Sequence, residues 1–176
     1  MEDKDSPAVE HIRIENCTYY RGGGIVTLGS EATVVRDVVA ENCTIKGKVS
    51  VLRLKLRPDT PQLYEDVHMR NIVLEAPGGQ IINCAPWKQY FDLKGATPPK
   101  STIRNITFEN ISGHGGAFGQ LAGNPGQSSI SGITFENIDV QLEDAKLTVE
   151  PGIDVAMKHV MVNGKPADAT RSEKAL

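Results

Sequence analysis

The chain has 176 residues, a formal net charge of −3 and 5% aromatic residues, with 17 glycines and 10 prolines. That length suits one domain with a sizeable core, and the weakly acidic charge gives no electrostatic reason to bind nucleic acid or an anionic membrane. No apolar run approaches the ~20 residues that cross a bilayer. The polar start, Met1-Glu2-Asp3-Lys4-Asp5, lacks the apolar region of a secretory signal. Few rings with many Val, Ile, Asn and Gly favour stacked short strands.

A short phrase recurs along the chain and decides its architecture. Each copy ends in asparagine, and these asparagines, at positions 16, 42, 71, 110, 137 and 163, are 26, 29, 39, 27 and 26 residues apart. Apolar residues alternate within each phrase, as in Ile106 and Phe108, so each phrase is a predicted strand with one buried face. Asparagine suits the turn because it tolerates left-handed backbone. The long interval predicts an insertion, and the last copy, ending at Asn163, is degenerate.

Second predicted strands follow the phrases at residues 24–28, 50–56, 79–82 and 117–121. Strands in the same phase on successive repeats stack as parallel ladders, and a solenoid buries its core only by such stacking. The sequence therefore predicts an all-β, right-handed, single-stranded parallel β-helix of about six coils. One inward file is expected to contain Ile14, Ala40, Met69, Phe108 and Phe135.

The expected organisation has three parts. A polar N-terminal segment covers residues 1–8, the β-helix domain covers 9–166, and a polar tail covers 167–176. The first segment is too short and too polar to cover the apolar end of the first coil. We therefore expect a homo-oligomer joined through the N-terminal coil, most simply a two-fold dimer.

Three motifs occur in order along the predicted coils. Gly29-Ser30-Glu31 follows a glycine run, Arg53-Leu54-Lys55 lies on the next coil, and Ala85-Pro86-Trp87 comes before the stretch 91–95. Together they resemble the C-terminal half of glycoside hydrolase family 28, the polygalacturonases and their relatives, from about Val9 to Pro166. The resemblance implies a pectin-lyase-like solenoid truncated at its N-terminal end, and a pectic polysaccharide as the partner. It also implies an extracellular or periplasmic parent family, although the chain itself does not indicate its compartment.

The catalytic residues of that family are not found. Members hydrolyse α-linked galacturonate with inversion, and the resemblance implies aspartates in an Asn-Thr-Asp and an Asp-Asp element, neither of which occurs here. Inversion needs two carboxyl groups about 6.5–9.5 Å apart, so no catalytic residue is predicted in this chain. The family's histidine before Gly-Ser-Glu is replaced by Gly23 in an ungapped alignment and by Arg21 in a shifted one. His114 lies far downstream and is interpreted as a coincidental match.

Arg53 and Lys55 are the predicted substrate-binding residues. They alternate with three leucines, so both cations share the outer face of one strand. An arginine fork and a lysine point charge suit the carboxylate of a uronate. Spacing alone would favour an ordinary solvated face, and the family resemblance favours binding. Arg57 extends the same face and could join them.

Other polar and aromatic residues have a plausible structural explanation beside the functional one. The carboxylates nearest the presumed groove are Asp59, Asp66 and Asp92. The rings of the insertion either stack on a sugar or cap the coil, and they are Trp87, Tyr90 and Phe91. A solvated outer ladder is expected from the four glutamates at one repeat position, Glu15, Glu41, Glu109 and Glu136.

No cofactor or metal site is predicted. The three cysteines match no zinc pattern, and Cys17 with Cys43 are expected to be stacked, buried, free thiols. The repeat positions differ among the three histidines of the strand phrases, His11, His68 and His159. A ligand cluster therefore does not arise from stacking.

The leading hypothesis is a polygalacturonase-like glycoside hydrolase fragment that retains part of the sugar-binding face without the catalytic coils. One alternative is an active glycosidase whose carboxylates come from another chain. A second alternative is a structural module that self-assembles through its ends. Sugar release and sugar binding distinguish the three.

Overall fold

The computed structural model describes residues 6–89 and 91–171. Tyr90 and parts of the two polar ends, at 1–5 and 172–176, lie outside the described residues. No helix in the described part is long and apolar enough to cross a membrane. Its strands are β1 (Val9–Glu15), β2 (Thr18–Leu28), β3 (Thr33–Leu56), β4 (Gln62–Glu75), β5 (Gln80–Pro86), β6 (Ser101–Leu121), β7 (Ser128–Val149), β8 (Val155–Val162), β9 (Lys165–Pro166) and β10 (Thr170–Arg171).

The strands pair in parallel from one repeat to the next. The strand phrases stack in the order β1, β3, β4, β6, β7 and β8. The second strands stack in the same direction, with β2 on β3, β3 on β5, and β5 on β6. Among the described strands, only the short pairing of β8 with β9 is antiparallel. The prediction of an all-β chain of stacked parallel strands is confirmed.

The inward file predicted from the alternation is also confirmed. Its five residues align in register: Ile14, Ala40, Met69, Phe108 and Phe135. The last four are fully buried, whereas Ile14, on the outermost described strand, is half-buried. The rings of Phe108 and Phe135 stack with centroids 4.8 Å apart. Such aromatic pairs contribute about 0.5–1.5 kcal/mol beyond burial.

Left-handed residues mark both ends of the first five strand phrases and the far end of the sixth. The row at the far end has φ near 55° and comprises Asn16, Asn42, Asn71, Asn110, Asn137 and His159. Side chains within this asparagine row bond to one another, for example Asn110 Nδ2 to Asn71 Oδ1 at 3.0 Å. The recurrence of asparagine therefore has two causes: it tolerates this backbone, and its amide bridges adjacent repeats.

The prediction for the last repeat is wrong. Lys158 aligns with Glu136 and Val160 with Ile138, so His159, not Asn163, continues the asparagine row. Asn163 instead binds the backbone of Leu142, donating from Nδ2 to the carbonyl at 2.9 Å. The last repeat is therefore only 22 residues long, from Asn137 to His159 (159 − 137), and the chain then turns back at Gly164 into β9.

The outer glutamate ladder is not a run of like charges. Its row also contains Arg70 and Lys158. Arg70 Nε lies 2.5 Å from a carboxylate oxygen of Glu41, and Lys158 Nζ lies 3.6 Å from Glu136. Cations thus divide the ladder, which lowers repulsion between neighbouring repeats.

The thiol prediction is half right. Cys17 and Cys43 are both free, but Cys43 is buried and Cys17 is exposed. Cys17 lies between β1 and β2, which pair with β3 on one side and with no described strand on the other. Cys17 is therefore exposed because no described strand covers that side of it.

Candidate functional site

A row of polar residues runs along the outer face of the second strands. The register aligns Thr27, Arg53, Asn83, Gln120 and Thr148. Arg53 and Lys55 are half-buried, while the alternating Leu52, Leu54 and Leu56 are at most 1% exposed. Both cations therefore lie on the outer face, as the alternation predicts. Within the described residues, no carboxylate forms an ion pair with either of them.

Trp87 lies against both cations. The guanidinium carbon of Arg53 is 5.4 Å from the centroid of the indole ring, and Lys55 Nζ is 4.7 Å from it. The backbone of Trp87 is joined to the end of β3, because its amide donates to the carbonyl of Leu56 at 2.8 Å. A cation over an indole face gains about 0.5–2 kcal/mol. We call Arg53, Lys55 and Trp87 the cationic platform.

A pocket of about 260 Å³ opens beside Arg53. Polar side chains line it, and Gln80 Nε2 donates to Ser50 Oγ at 2.8 Å. The other lining groups are Lys48, Asn83, Val49 and the glycines at 22, 23 and 78. The pocket thus adds the cation of Lys48 and the amide groups of Gln80 and Asn83 beside the cationic platform.

Gly23 provides the space in which the Arg53 side chain lies. A Cβ at this position would be 3.2 Å from Arg53 Nη1 and 3.1 Å from Thr27 Oγ1. Arg21, the other residue aligned with the family's histidine, pairs in register with Lys48. His114 is exposed and aligns with Glu75 and Gln141, outside the row that carries Arg53. The guanidinium of Arg53 therefore uses the space that a side chain at Gly23 would fill.

Arg57 does not join the cationic platform, which corrects the expectation that it extends this face. Its Nε donates to Asp59 Oδ1 at 2.6 Å, and the two side chains are only 12% and 11% exposed. The amide of Asp92 donates to the other Asp59 oxygen at 2.9 Å. Burial raises the pKa of Asp59, but these hydrogen bonds outweigh it and hold the pKa below its ordinary value.

The other two aspartates have local partners. Asp66 lies in the left-handed row at the near end of the strand phrases and accepts a bond from Asn105 Nδ2 at 3.1 Å. Asp92 accepts the amide of Lys94 at 2.9 Å in the insertion. In the described part of the chain, no three His, Cys, Asp or Glu side chains are grouped so that they could hold a metal ion.

Sequence reasoning missed three residues of the pocket, namely Lys48, Gln80 and Asn83. The repeat contains a signal for Asn83, because it occupies the position of Arg53 one repeat later. Counting positions along the second strands would have found it. Lys48 and Gln80 lack such a signal, since their approach depends on how the turns before these strands run.

The family model for Glycosyl hydrolases family 28 matches residues 6–167 of the 176-residue chain. The search of curated proteins and the search of solved structures returned no match. The matched region contains every strand from β1 to β9 and the whole cationic platform. Parallel strands stacked in register are what the β-helix of this family requires, and the chain therefore belongs to glycosyl hydrolases family 28.

Proposed function

We propose that this family 28 domain binds acidic pectic oligosaccharides on the cationic platform and does not hydrolyse them by itself. The observation that carries the proposal is the pair Arg53 and Lys55, held side by side on the outer face over one indole ring. Two uncompensated cations at fixed spacing attract a polymer that carries a carboxylate on each sugar.

The surroundings of Arg53 support a sugar as the ligand. The pocket beside it carries amide groups, from Gln80 and Asn83, which can bond sugar hydroxyls as donors or acceptors. Lys48 lies on the same pocket and adds a cation for a neighbouring uronate. The family's pectic substrates favour galacturonan as this polymer.

The proposed lack of hydrolysis rests on the carboxylates. None of the five residues aligned in the row of Arg53 is acidic. Asp59 is the carboxylate nearest to Lys55 along the chain, and its charge is neutralised by Arg57. An inverting site needs one carboxyl group that is protonated and another that activates water, and a carboxylate with a lowered pKa and an arginine partner suits neither role.

The binding experiment compares charged and neutral ligands. Isothermal titration with oligogalacturonates should show weak binding that declines as salt rises, because exposed charges are screened. A neutral galactan oligomer should not bind. Arg53→Met should abolish binding of the charged ligand, whereas Arg13→Met, a matched loss of one cation on the other strands, should leave it unchanged. Equal affinity in Arg53→Met would contradict the proposal.

The hydrolysis experiment measures reducing ends released from polygalacturonate. We expect none above a protein-free blank. Turnover that is lost in Asp59→Asn, Asp66→Asn or Asp92→Asn would instead support the alternative of an active glycosidase. A matched control is Asp168→Asn, which lies beyond the matched family region.

A further inference from the structure

Arg53 and Lys55 are two like charges close together on one strand, and both lie against the ring of Trp87. The two side chains are two residues apart on one strand, so their attachment points are separated by about 6.6 Å. Like charges at this distance repel, and such cations usually find a carboxylate. Here both approach the same indole ring, at 5.4 and 4.7 Å from its centroid.

An indole ring beside the two cations affects ligand binding differently from a carboxylate in the same place. The negative face of the indole attracts both cations and restricts their motion, yet it carries no net charge. A carboxylate in that place would neutralise one cation and compete with an acidic ligand. With the ring as partner, both positive charges remain available to a ligand.

Gly23 supports Arg53 from another side. A Cβ there would approach Nη1 to 3.2 Å, which is closer than most real Cβ contacts. The methylene group at Cδ would also be touched, at 3.5 Å. The glycine therefore lets the guanidinium lie against the backbone of β2 at the edge of the 260 Å³ pocket.

We infer that Trp87 and Gly23 are positioning residues that set the preference of this domain for carboxylate-bearing sugars. Trp87 acts through Arg53 and Lys55, which it holds in place without neutralising them, and Gly23 acts through Arg53, for which it leaves space. The inference rests on the proposed function and deepens it. Pre-organised cations bind more tightly because less side-chain freedom is lost when the ligand arrives.

The affinity test uses conservative and non-conservative changes in the folded 176-residue chain. Trp87→Leu should weaken oligogalacturonate binding about tenfold, since it removes the cation–ring contact to both cations. Trp87→Phe keeps a ring and should remain within about threefold of the wild type. Phe91→Leu is the matched control, because Phe91 is an aromatic residue of the same insertion that is 43% exposed, and it should change nothing.

A second measurement does not depend on ligand. Proton NMR should show the Lys55 Hε and Arg53 Hδ resonances shifted upfield by the ring current in the wild type and, less strongly, in Trp87→Phe. Trp87→Leu should return both to ordinary positions. Gly23→Ala should move the Arg53 resonances and leave those of Lys55 in place, because the atoms nearest to its methyl group belong to Arg53 and Thr27. It should weaken binding about threefold to tenfold.

The outcomes separate this inference from the proposed function. If wild-type protein binds no oligogalacturonate, both are overturned. If it binds and Trp87→Leu binds equally well, only the positioning role is overturned. Unshifted Lys55 and Arg53 resonances in the wild type would also overturn it, whatever the affinity. As a folding control, each variant should unfold at the same temperature as the wild type, so that a loss of binding is not caused by a loss of folding.

Discussion

Arg57 and Asp59 carry opposite charges into a place that is almost closed to water. Their side chains are 12% and 11% exposed, and their hydrogen bond is 2.6 Å long. Asp59 also accepts the backbone amide of Asp92, so the pair ties the insertion after β5 to the end of β3. A pair at this depth is costly to break, because the remaining charge loses the hydrogen-bonded partner that offsets its burial.

Removing Asp59 should therefore destabilise the fold. Asp59→Ala should lower the free energy of unfolding by about 3–5 kcal/mol, measured by urea denaturation. The double variant Arg57→Met with Asp59→Leu should recover much of this loss, because it removes both charges of the pair together. If the double variant loses as much free energy of unfolding as Arg57→Met and Asp59→Leu lose in sum, the explanation is contradicted.

The same carboxylate should make stability depend on pH. Its folded pKa lies below the unfolded value of about 3.9, so its contribution is present above that pH. Stability is then lost as the pH falls through the folded pKa. The free energy of unfolding, measured by urea denaturation at each pH from 5 to 2, should decline less steeply in Asp59→Asn than in the wild type. The variant should already be less stable at pH 5. Parallel curves for both proteins would contradict this assignment. Asp154→Asn, whose carboxylate makes no ion pair in the described residues, is the control.

At the scale of elements, the asparagine row joins successive strand phrases at their far ends. Asn110 accepts from Asn137 at 3.3 Å and donates to Asn71 at 3.0 Å, with φ of 55°. Its contribution has a side-chain part, from two amide bonds, and a backbone part, from the left-handed conformation. Two substitutions at this one position can separate the parts.

Asn110→Ala should lower the free energy of unfolding by about 2 kcal/mol, because it loses both bonds and strains the backbone. Asn110→Gly loses the bonds without the strain and should cost only about 1 kcal/mol. Urea denaturation of both variants checks this order. If glycine costs as much as alanine, the left-handed backbone is not a source of instability here.

Periodicity alone predicted most of the stack and little of the site. The alternation in the phrases identified the inward file through Phe108 and Phe135, since a strand's side chains alternate by geometry. The contact of Trp87 with Arg53 depends on the path of the insertion, which has no period. The pairing of Arg57 with Asp59 likewise depends on a turn. Repeat position placed Arg53 and Lys55 on the outer face, but it could not show what holds them there.

On the scale of the whole molecule, the β1 end of the stack differs from its middle. Interior residues such as Val67 and Ile106 are fully buried between neighbouring strands. At the β1 end, apolar side chains reach solvent: Val9 is 46% exposed, Ile12 36% and Tyr20 64%. β1 and β2 have one edge that pairs with no other strand in the described part of the chain. Such an edge with exposed apolar groups tends to pair with another chain.

We propose that the 176-residue chain forms a homo-oligomer through this edge, with a two-fold dimer as the simplest form. Light scattering should show a dimer at micromolar concentration that dissociates on dilution. Ile12→Lys and Tyr20→Lys should give monomers, because each buries a charge in the contact. Val73→Lys is the matched control, since Val73 is similarly exposed, at 37%, but lies on β4 away from this edge. A wild-type protein that is monodisperse and monomeric at that concentration would rule the contact out, and dimers that persist in both lysine variants would place the contact elsewhere.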